Sequence, residues 1–167
     1  ENGDRVDIDF SFPIRLERYD ASCYTVPGVS VHRGPLTYCL PIPEEWTYIG
    51  DKPPAPDNLE EVWNVTPKDG AVWNYALVLD KDDPNSSFEL VQLPVSDGAK
   101  PWTEPPVGLR VAARRLPDWH TDTINDKPQT PSLPRPPLKP AAETEEITLV
   151  PFGFTRIRMT YLPALDM

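Results

Sequence analysis

Long apolar runs are missing from this 167-residue chain. No stretch is apolar over enough residues to span a bilayer, and none near the start resembles a secretory signal. The sequence also begins at Glu1, without an initiator Met. We therefore expect one domain excised or processed from a larger chain, with no membrane segment of its own.

Positive charge is scarce. The 16 Lys and Arg residues are outnumbered by 26 Asp and Glu residues, which leaves a net charge of −10. A phosphate backbone attracts proteins of the opposite sign, so this balance argues against nucleic acid as a partner. It also disfavours anionic membrane surfaces. An acidic surface keeps a protein soluble but says little about its fold.

Cysteine is equally sparse, with only Cys23 and Cys39 in the chain. Two cysteines form one disulfide in an oxidising compartment, or remain as two buried thiols that behave as small hydrophobes. Cys39 lies inside an apolar run, and nothing else in the chain depends visibly on a disulfide. The sequence favours free thiols and leaves the disulfide open.

Metal-ligand patterns are also missing. The histidines, His32 and His120, are isolated, and no CxxC or HExxH spacing occurs. Zinc needs three or four compact Cys, His or carboxylate ligands, so no zinc site is predicted. The acidic turn of Asp80, Asp82 and Asp83 offers oxygen ligands for calcium, but it lacks the EF-hand spacing.

Common catalytic motifs are also missing from the sequence. The chain contains no GxSxG, no GxGxxG and no P-loop, so neither a nucleophilic triad nor a nucleotide cofactor is predicted. A glycosidase needs two carboxylic acids, one with a pKa raised by burial. The paired acids all lie in polar or proline-flanked text, so we predict no catalytic residue among Glu44-Glu45, Glu60-Glu61, Asp80 with Asp82-Asp83, and Glu143 with Glu145-Glu146.

Proline, in contrast, is abundant, with 23 residues. Proline breaks helix interiors and cannot donate to a sheet ladder, so it collects in loops and at strand edges. Residues 125–143 hold six prolines and predict a proline-rich surface loop. The alternative, a ligand for a proline-recognising domain, is less favoured because strand-like segments flank this stretch on both sides.

The apolar pattern has the period of β-strands. Residues 5–12 alternate strictly between polar and apolar, which predicts a half-buried strand. Two runs that are apolar on both sides predict central strands, at residues 36–42 and 72–80. Further strands are predicted at residues 14–18, 29–32, 88–93, 109–116, 146–151 and 154–162, with Gly153 as a hairpin turn. We predict a single all-β domain over residues 1–167, an antiparallel β-sandwich of jelly-roll type with long proline-rich loops.

Five tryptophans give the only candidate binding residues. An exposed indole stacks on a sugar ring, whose axial C–H groups meet the π-cloud, whereas a buried indole is core. Trp73 lies in a predicted central strand and is expected in the core. Trp46, Trp102 and Trp119 lie beside loops and are the carbohydrate-contact candidates, with core packing or a lid over the sandwich end as the alternative.

Several blocks of the chain read as a set when taken in order. They are residues 3–8, 31–38 with 44–46, 73–80, 113–119 and 147–158. Together they resemble the region after the catalytic barrel in bacterial β-L-arabinofuranosidase-like enzymes, glycoside hydrolase family 127. The resemblance covers nearly the whole chain, and the order of the blocks makes it specific.

The resemblance implies an (α/α)₆ barrel followed by β-sandwich domains, with catalysis by a zinc-bound cysteine and a glutamate in the barrel. No position of this chain matches those motifs. The implied role is a non-catalytic accessory domain that packs on the barrel of the same parent chain, stabilises it and helps it form a homo-oligomer. The parent is expected to be periplasmic or extracellular, and the first strand is expected to have lost upstream partners. The alternative is a carbohydrate-binding module that contacts plant-type glycans through Trp46, Trp102 or Trp119.

Overall fold

A computed structural model describes the main body of the chain, namely residues 3, 5–19, 28–51, 62–99, 103–121, 123–125, 127–128 and 132–165. Within them the chain forms thirteen β-strands, two short 3₁₀ helices and no α-helix. The strands are β1 (Ile14–Tyr19), β2 (Gly28–Arg33), β3 (Leu36–Pro41), β4 (Glu44–Tyr48), β5 (Trp63–Pro67), β6 (Tyr75–Val78), β7 (Glu89–Gln92), β8 (Val107–Arg115), β9 (Thr123–Ile124), β10 (Lys127–Pro128), β11 (Glu145–Pro151), β12 (Arg158–Met159) and β13 (Ala164–Leu165); the 3₁₀ helices are Pro84–Ser87 and Phe152–Phe154.

Nine of the strands form one curled sheet. Its order is β1-β2-β3-β11-β8-β6-β13, with β12 beside β3 and β7 beside β8. Every ladder in it is antiparallel except the short pairing of β13 with β6. β11 pairs first with β8 and then, at Val150 and Pro151, with β3. A strand that changes partner in this way turns a corner, and the curled sheet encloses a core. The all-β, sandwich-like fold is confirmed.

The two faces of β8 show how the alternation builds this core. Leu109 and Val111 are buried and lie in register with Leu149 and Ile147 on β11, and Ala113 is buried on the same face. Facing positions on neighbouring strands are within contact distance, so these side chains pack as one layer.

The opposite face of β8 is charged. Arg110 bridges Glu89 on β7 at 3.2 Å and Glu146 on β11 at 3.1 Å. Charge pairs across a sheet contribute little stability at an exposed site, but they keep this face in water. One face of β8 is therefore buried in the core, and the opposite face is charged and solvent-exposed.

The proline-rich stretch lies against its own domain in its described part. Leu133 and Leu138 pack on a second apolar cluster of Ala76, Leu116 and Trp119. The backbone also joins in, since the Ala141 N–H donates to the Arg115 carbonyl at 2.8 Å. Residues 126 and 129–131 lie outside the described residues.

Two predicted strands differ from the structure. Residues 5–12 have no ladder partner among the described residues, and Val6, Ile8, Phe10 and Phe12 are exposed. A polar–apolar alternation predicts which side chains share a face, but it does not specify which strand pairs with the segment. Residues 154–162 hold only the two-residue β12 and an isolated bridge of Leu162 with Val29, and Gly153 lies in a 3₁₀ turn instead of a hairpin turn.

Cys39 is a free, buried thiol on β3, and its Sγ donates to the Val150 carbonyl at 3.5 Å. Burial raises the pKa of this thiol to about 12, although the charge of Arg158 acts in the opposite direction. Cys23 lies outside the described residues, so the predicted choice between thiol and disulfide stays a prediction for that residue.

We expect Cys39 to resist thiol reagents in the folded protein. With a pKa of about 12, roughly one thiol in ten thousand is ionised at pH 8, and the thiolate is the reactive form. A Cys23→Ser variant isolates Cys39 for labelling with a disulfide reagent of the Ellman type. It should release almost no chromophore in buffer and one equivalent in 6 M guanidinium, whereas rapid labelling in buffer would show that β3 opens readily.

Candidate functional site

β4 and β5 form a separate two-stranded sheet, here called the aromatic arm. Its register places Trp46 opposite Val65 and Tyr48 opposite Trp63. Because opposite residues share a face and side chains alternate along a strand, these four side chains lie together on one face of the arm. We call them the aromatic face.

The three rings of the aromatic face touch edge to face. The Trp63 ring centroid lies 6.2 Å from that of Trp46 and 5.1 Å from that of Tyr48, with interplanar angles of 69° and 67°. Such T-shaped pairs place the positive edge of one ring against the negative face of another. These contacts hold the three rings together, with the plane of Trp63 steeply inclined to the planes of both Trp46 and Tyr48.

This unit is open to solvent. Trp46 is 47% exposed and Trp63 is 38% exposed. The ladder continues past Tyr48, where the Ile49 N–H donates to the Val62 carbonyl at 2.9 Å, and both of those apolar side chains are also exposed. Contiguous exposed apolar residues of this kind mark a binding surface.

Glu44 fastens the arm to the main body. Its Oε1 accepts hydrogen bonds from the Thr155 hydroxyl at 2.7 Å, from the Ile157 N–H at 2.7 Å and from the Arg156 N–H. Burial by itself would raise the pKa of Glu44, but the hydrogen bonds from Thr155, Ile157, Arg156 and Trp46 together outweigh it, so its pKa is lower than usual. These bonds also explain why residues 155–157 do not continue a ladder.

The second oxygen of Glu44 orients the aromatic face. Its Oε2 accepts a hydrogen bond from the Trp46 indole N–H at 3.0 Å. One carboxylate therefore holds the arm in place and fixes the ring of its first tryptophan. The site is consequently organised before any ligand arrives.

Of the predicted sugar contacts, only Trp46 is described and exposed. Trp119 is 5% exposed, its ring lies edge to face with Trp73 at 5.0 Å, and its N–H donates to the Ser132 carbonyl at 2.7 Å. A ring this buried offers no face for stacking, which corrects the prediction for Trp119. Trp102 lies outside the described residues.

Trp63 and Tyr48 are members of this candidate surface that the sequence alone did not indicate. The signal was present, since Trp46 with Tyr48 and Trp63 with Val65 each have the two-residue spacing of one strand face. Their meeting depends on the pairing of β4 with β5, which are separated by fourteen residues in sequence. No local pattern specifies that register.

A shallow cleft of about 450 Å³ lies beside Trp73. Two polar residues of its lining are already engaged within the domain. Asn74 donates its amide to the carbonyls of Leu116 and Trp119, and Arg115 forms an ion pair with Glu145 at 2.6 Å. The cleft is therefore a weaker candidate than the aromatic face.

The acidic turn at Asp80 has a structural explanation. Its carboxylate accepts the backbone N–H groups of Asp82 at 2.9 Å and Asp83 at 2.8 Å. These bonds, from Asp83 and then Asp82, lower the pKa of Asp80. In the part of the chain that the structure describes, no three His, Cys, Asp or Glu side chains converge as metal ligands would.

The exposed segment at residues 5–12 is the second candidate surface. The rings of Phe10 and Phe12 stack with centroids 5.9 Å apart. Phe12 also lies over the turn at Gly34, where a Cβ would come within 2.6 Å of its ring and where φ is +57°. A side chain at position 34 would therefore displace Phe12, the point at which this segment rests on the body.

Comparison with known proteins identifies no relative: no family model, no curated protein and no solved structure matches this chain. Among the described residues, no helix has the length and hydropathy to cross a bilayer.

Proposed function

We propose that this chain is a non-catalytic accessory β-domain of a glycoside hydrolase of the β-L-arabinofuranosidase type. It packs on the catalytic (α/α)₆ barrel of the same parent chain and stabilises it. The observation that carries this proposal is the segment of residues 5–12, whose apolar side chains stand at every second position and remain exposed.

The energetics favour a partner for this segment. Full burial of a Val, Ile or Phe side chain contributes about 1.5–3 kcal/mol, and four such side chains project from the segment: Val6, Ile8, Phe10 and Phe12. Val6 is 81% exposed, so most of this free energy is still to be gained. A segment with no ladder partner among the described residues can also accept a neighbouring strand.

The blocks that resemble the hydrolase family indicate which domain the partner is. Their order resembles the region that follows the barrel in such hydrolases, and in that arrangement residues 3–8 join the preceding sandwich region. A strand from that region would pair with residues 5–12 and cover their apolar side. The domain would then be held on the barrel by both ladder hydrogen bonds and apolar contact.

The coding sequence upstream of Glu1 tests the parentage. We expect it to encode a helical barrel with the cysteine and glutamate motif of the family. A barrel without these residues, or another kind of domain, would overturn the assignment. The purified 167-residue chain should hydrolyse nitrophenyl arabinofuranosides only at the background rate.

Docking is tested in the full-length parent with the double variant Ile8→Asp and Phe10→Asp. We expect the thermal midpoint of the barrel to fall by several degrees, because two buried apolar contacts are replaced by charges. The matched control is Leu90→Asp with Val95→Asp, two side chains that are exposed elsewhere on the domain. Equal midpoints for the two double variants would contradict docking through this segment.

A further inference from the structure

The aromatic face lies apart from residues 5–12 along the chain, and its chemistry differs. Residues 5–12 present flexible and aliphatic side chains among their apolar groups, whereas the aromatic face is built of two indoles and a phenol. We infer that the aromatic face, formed by Trp46, Tyr48, Trp63 and Val65, binds a neutral saccharide. This inference does not depend on the docking of residues 5–12.

Ring chemistry is the first argument. A pyranose or furanose ring has a flat side of C–H groups that packs on the electron-rich face of an indole. The planes of Trp46 and Trp63 are inclined by 69°, so an oligosaccharide would contact two differently oriented ring faces and not one flat surface. The alternating polar residues Glu45, Thr47 and Thr66 lie on the other face of the arm.

Rigidity is the second argument. Trp46 is fixed by its hydrogen bond to Glu44, and Trp63 is held between Trp46 and Tyr48. Rings that are ordered before binding lose little side-chain entropy when a ligand arrives. A loosely ordered hydrophobic patch would lack the hydrogen bond and ring contacts that order these two indoles.

Gly50 helps to position the Tyr48 ring of the aromatic face. The Tyr48 ring lies so close over Gly50 that a Cβ there would overlap the phenol, with 2.6 Å to Cζ. A larger residue at position 50 would therefore move Tyr48, and with it the contact that supports Trp63. The position offers a way to disturb the aromatic face without removing any ring.

Charge selects a neutral ligand. β4 and β5 read EEWTY and WNVTP, with two glutamates and no Lys or Arg. The guanidinium of Arg158 is used within the domain, where it donates to the Arg156 carbonyl at 3.2 Å and lies 3.4 Å from the Phe152 ring centroid. A phosphate or a uronic acid would meet negative charge on this arm, whereas a neutral sugar would not.

The test is calorimetric titration of the 167-residue chain with three neutral probes, arabino-, xylo- and cello-oligosaccharides, and with oligogalacturonate as the anionic probe. We expect at least one neutral probe to bind, and oligogalacturonate not to bind. Trp63→Ala should weaken the affinity about tenfold or more, since each aromatic stacking contact contributes about that factor. Trp63→Phe should recover part of it.

Two further variants separate a lost contact from a lost fold. Thr47→Ala with Thr66→Ala, on the other face of the arm, should leave the affinity unchanged. Gly50→Val should reduce it while the urea midpoint of the domain stays within error. No heat with any neutral probe at 10 mM, preference for oligogalacturonate, or unchanged affinity in Trp63→Ala would each overturn the inference. Self-association of the wild type that disappears in Trp63→Ala, with no sugar effect, would identify a second copy as the occupant and overturn it as well.

Discussion

Leu109→Ala should lower the free energy of unfolding by about 2–5 kcal/mol, the range for deleting a buried leucine side chain. Leu109 is completely buried on β8, in register with Leu149 on β11 and with Leu90 on β7. Its removal leaves a cavity between three strands that cannot close independently. Urea unfolding followed by far-ultraviolet circular dichroism measures the change.

Leu90→Ala is the matched control, because it deletes the same atoms from the register partner of Leu109. Leu90 is 45% exposed, so its truncation should cost less than about 1 kcal/mol. Similar losses for the two variants would contradict the described core, since they would mean that β7 and β8 are buried to the same extent.

Glu44→Gln should release the aromatic arm and destabilise the domain by about 1–3 kcal/mol, as expected when hydrogen bonds to a charged acceptor are replaced. The amide retains one acceptor oxygen but loses the charge that attracts the N–H groups of Arg156 and Ile157. Tryptophan emission should shift to longer wavelength as Trp46 loses its partner. Glu45→Gln, an exposed change on the other face of the arm, should do neither.

The contribution of Glu44 should also depend on pH. Its pKa is lowered from 4.5 in the folded protein, so the folded state binds this proton less readily than the unfolded state. The stabilisation is therefore complete above about pH 4.5 and is lost as the pH falls through the lower folded pKa. The stability difference between the wild type and Glu44→Gln should shrink over that range, and a difference that grew in acid would contradict the assignment.

The strands of the main sheet could be predicted closely where the residues carry their own pattern. β8 alternates Leu109, Arg110 and Val111, and β3 is apolar on both sides. Residues 154–162 show similar alternation, yet only β12 forms there. For residues 154–157 the reason is not local, because the N–H groups of Arg156 and Ile157 are donated to Glu44, more than a hundred residues away in sequence.

The candidate site could be predicted only in part. Trp46 was found because it is an aromatic residue beside a loop, but the same reasoning selected Trp119, which is buried. What separates the two is tertiary: Trp119 is covered by Trp73 and by the proline-rich stretch at Ser132, whereas Trp46 stands on an arm outside the main sheet. Trp63 entered the site only through its pairing with Tyr48.

The sequence by itself determined the all-β class of this protein, since a two-residue apolar period and 23 prolines leave no room for long helices. Only the tertiary structure decided which apolar side chains are left in water. That outcome depends on strand registers and on contacts between distant residues, such as Glu44 with Ile157, and solvent exposure is a property of those neighbours and not of the residue.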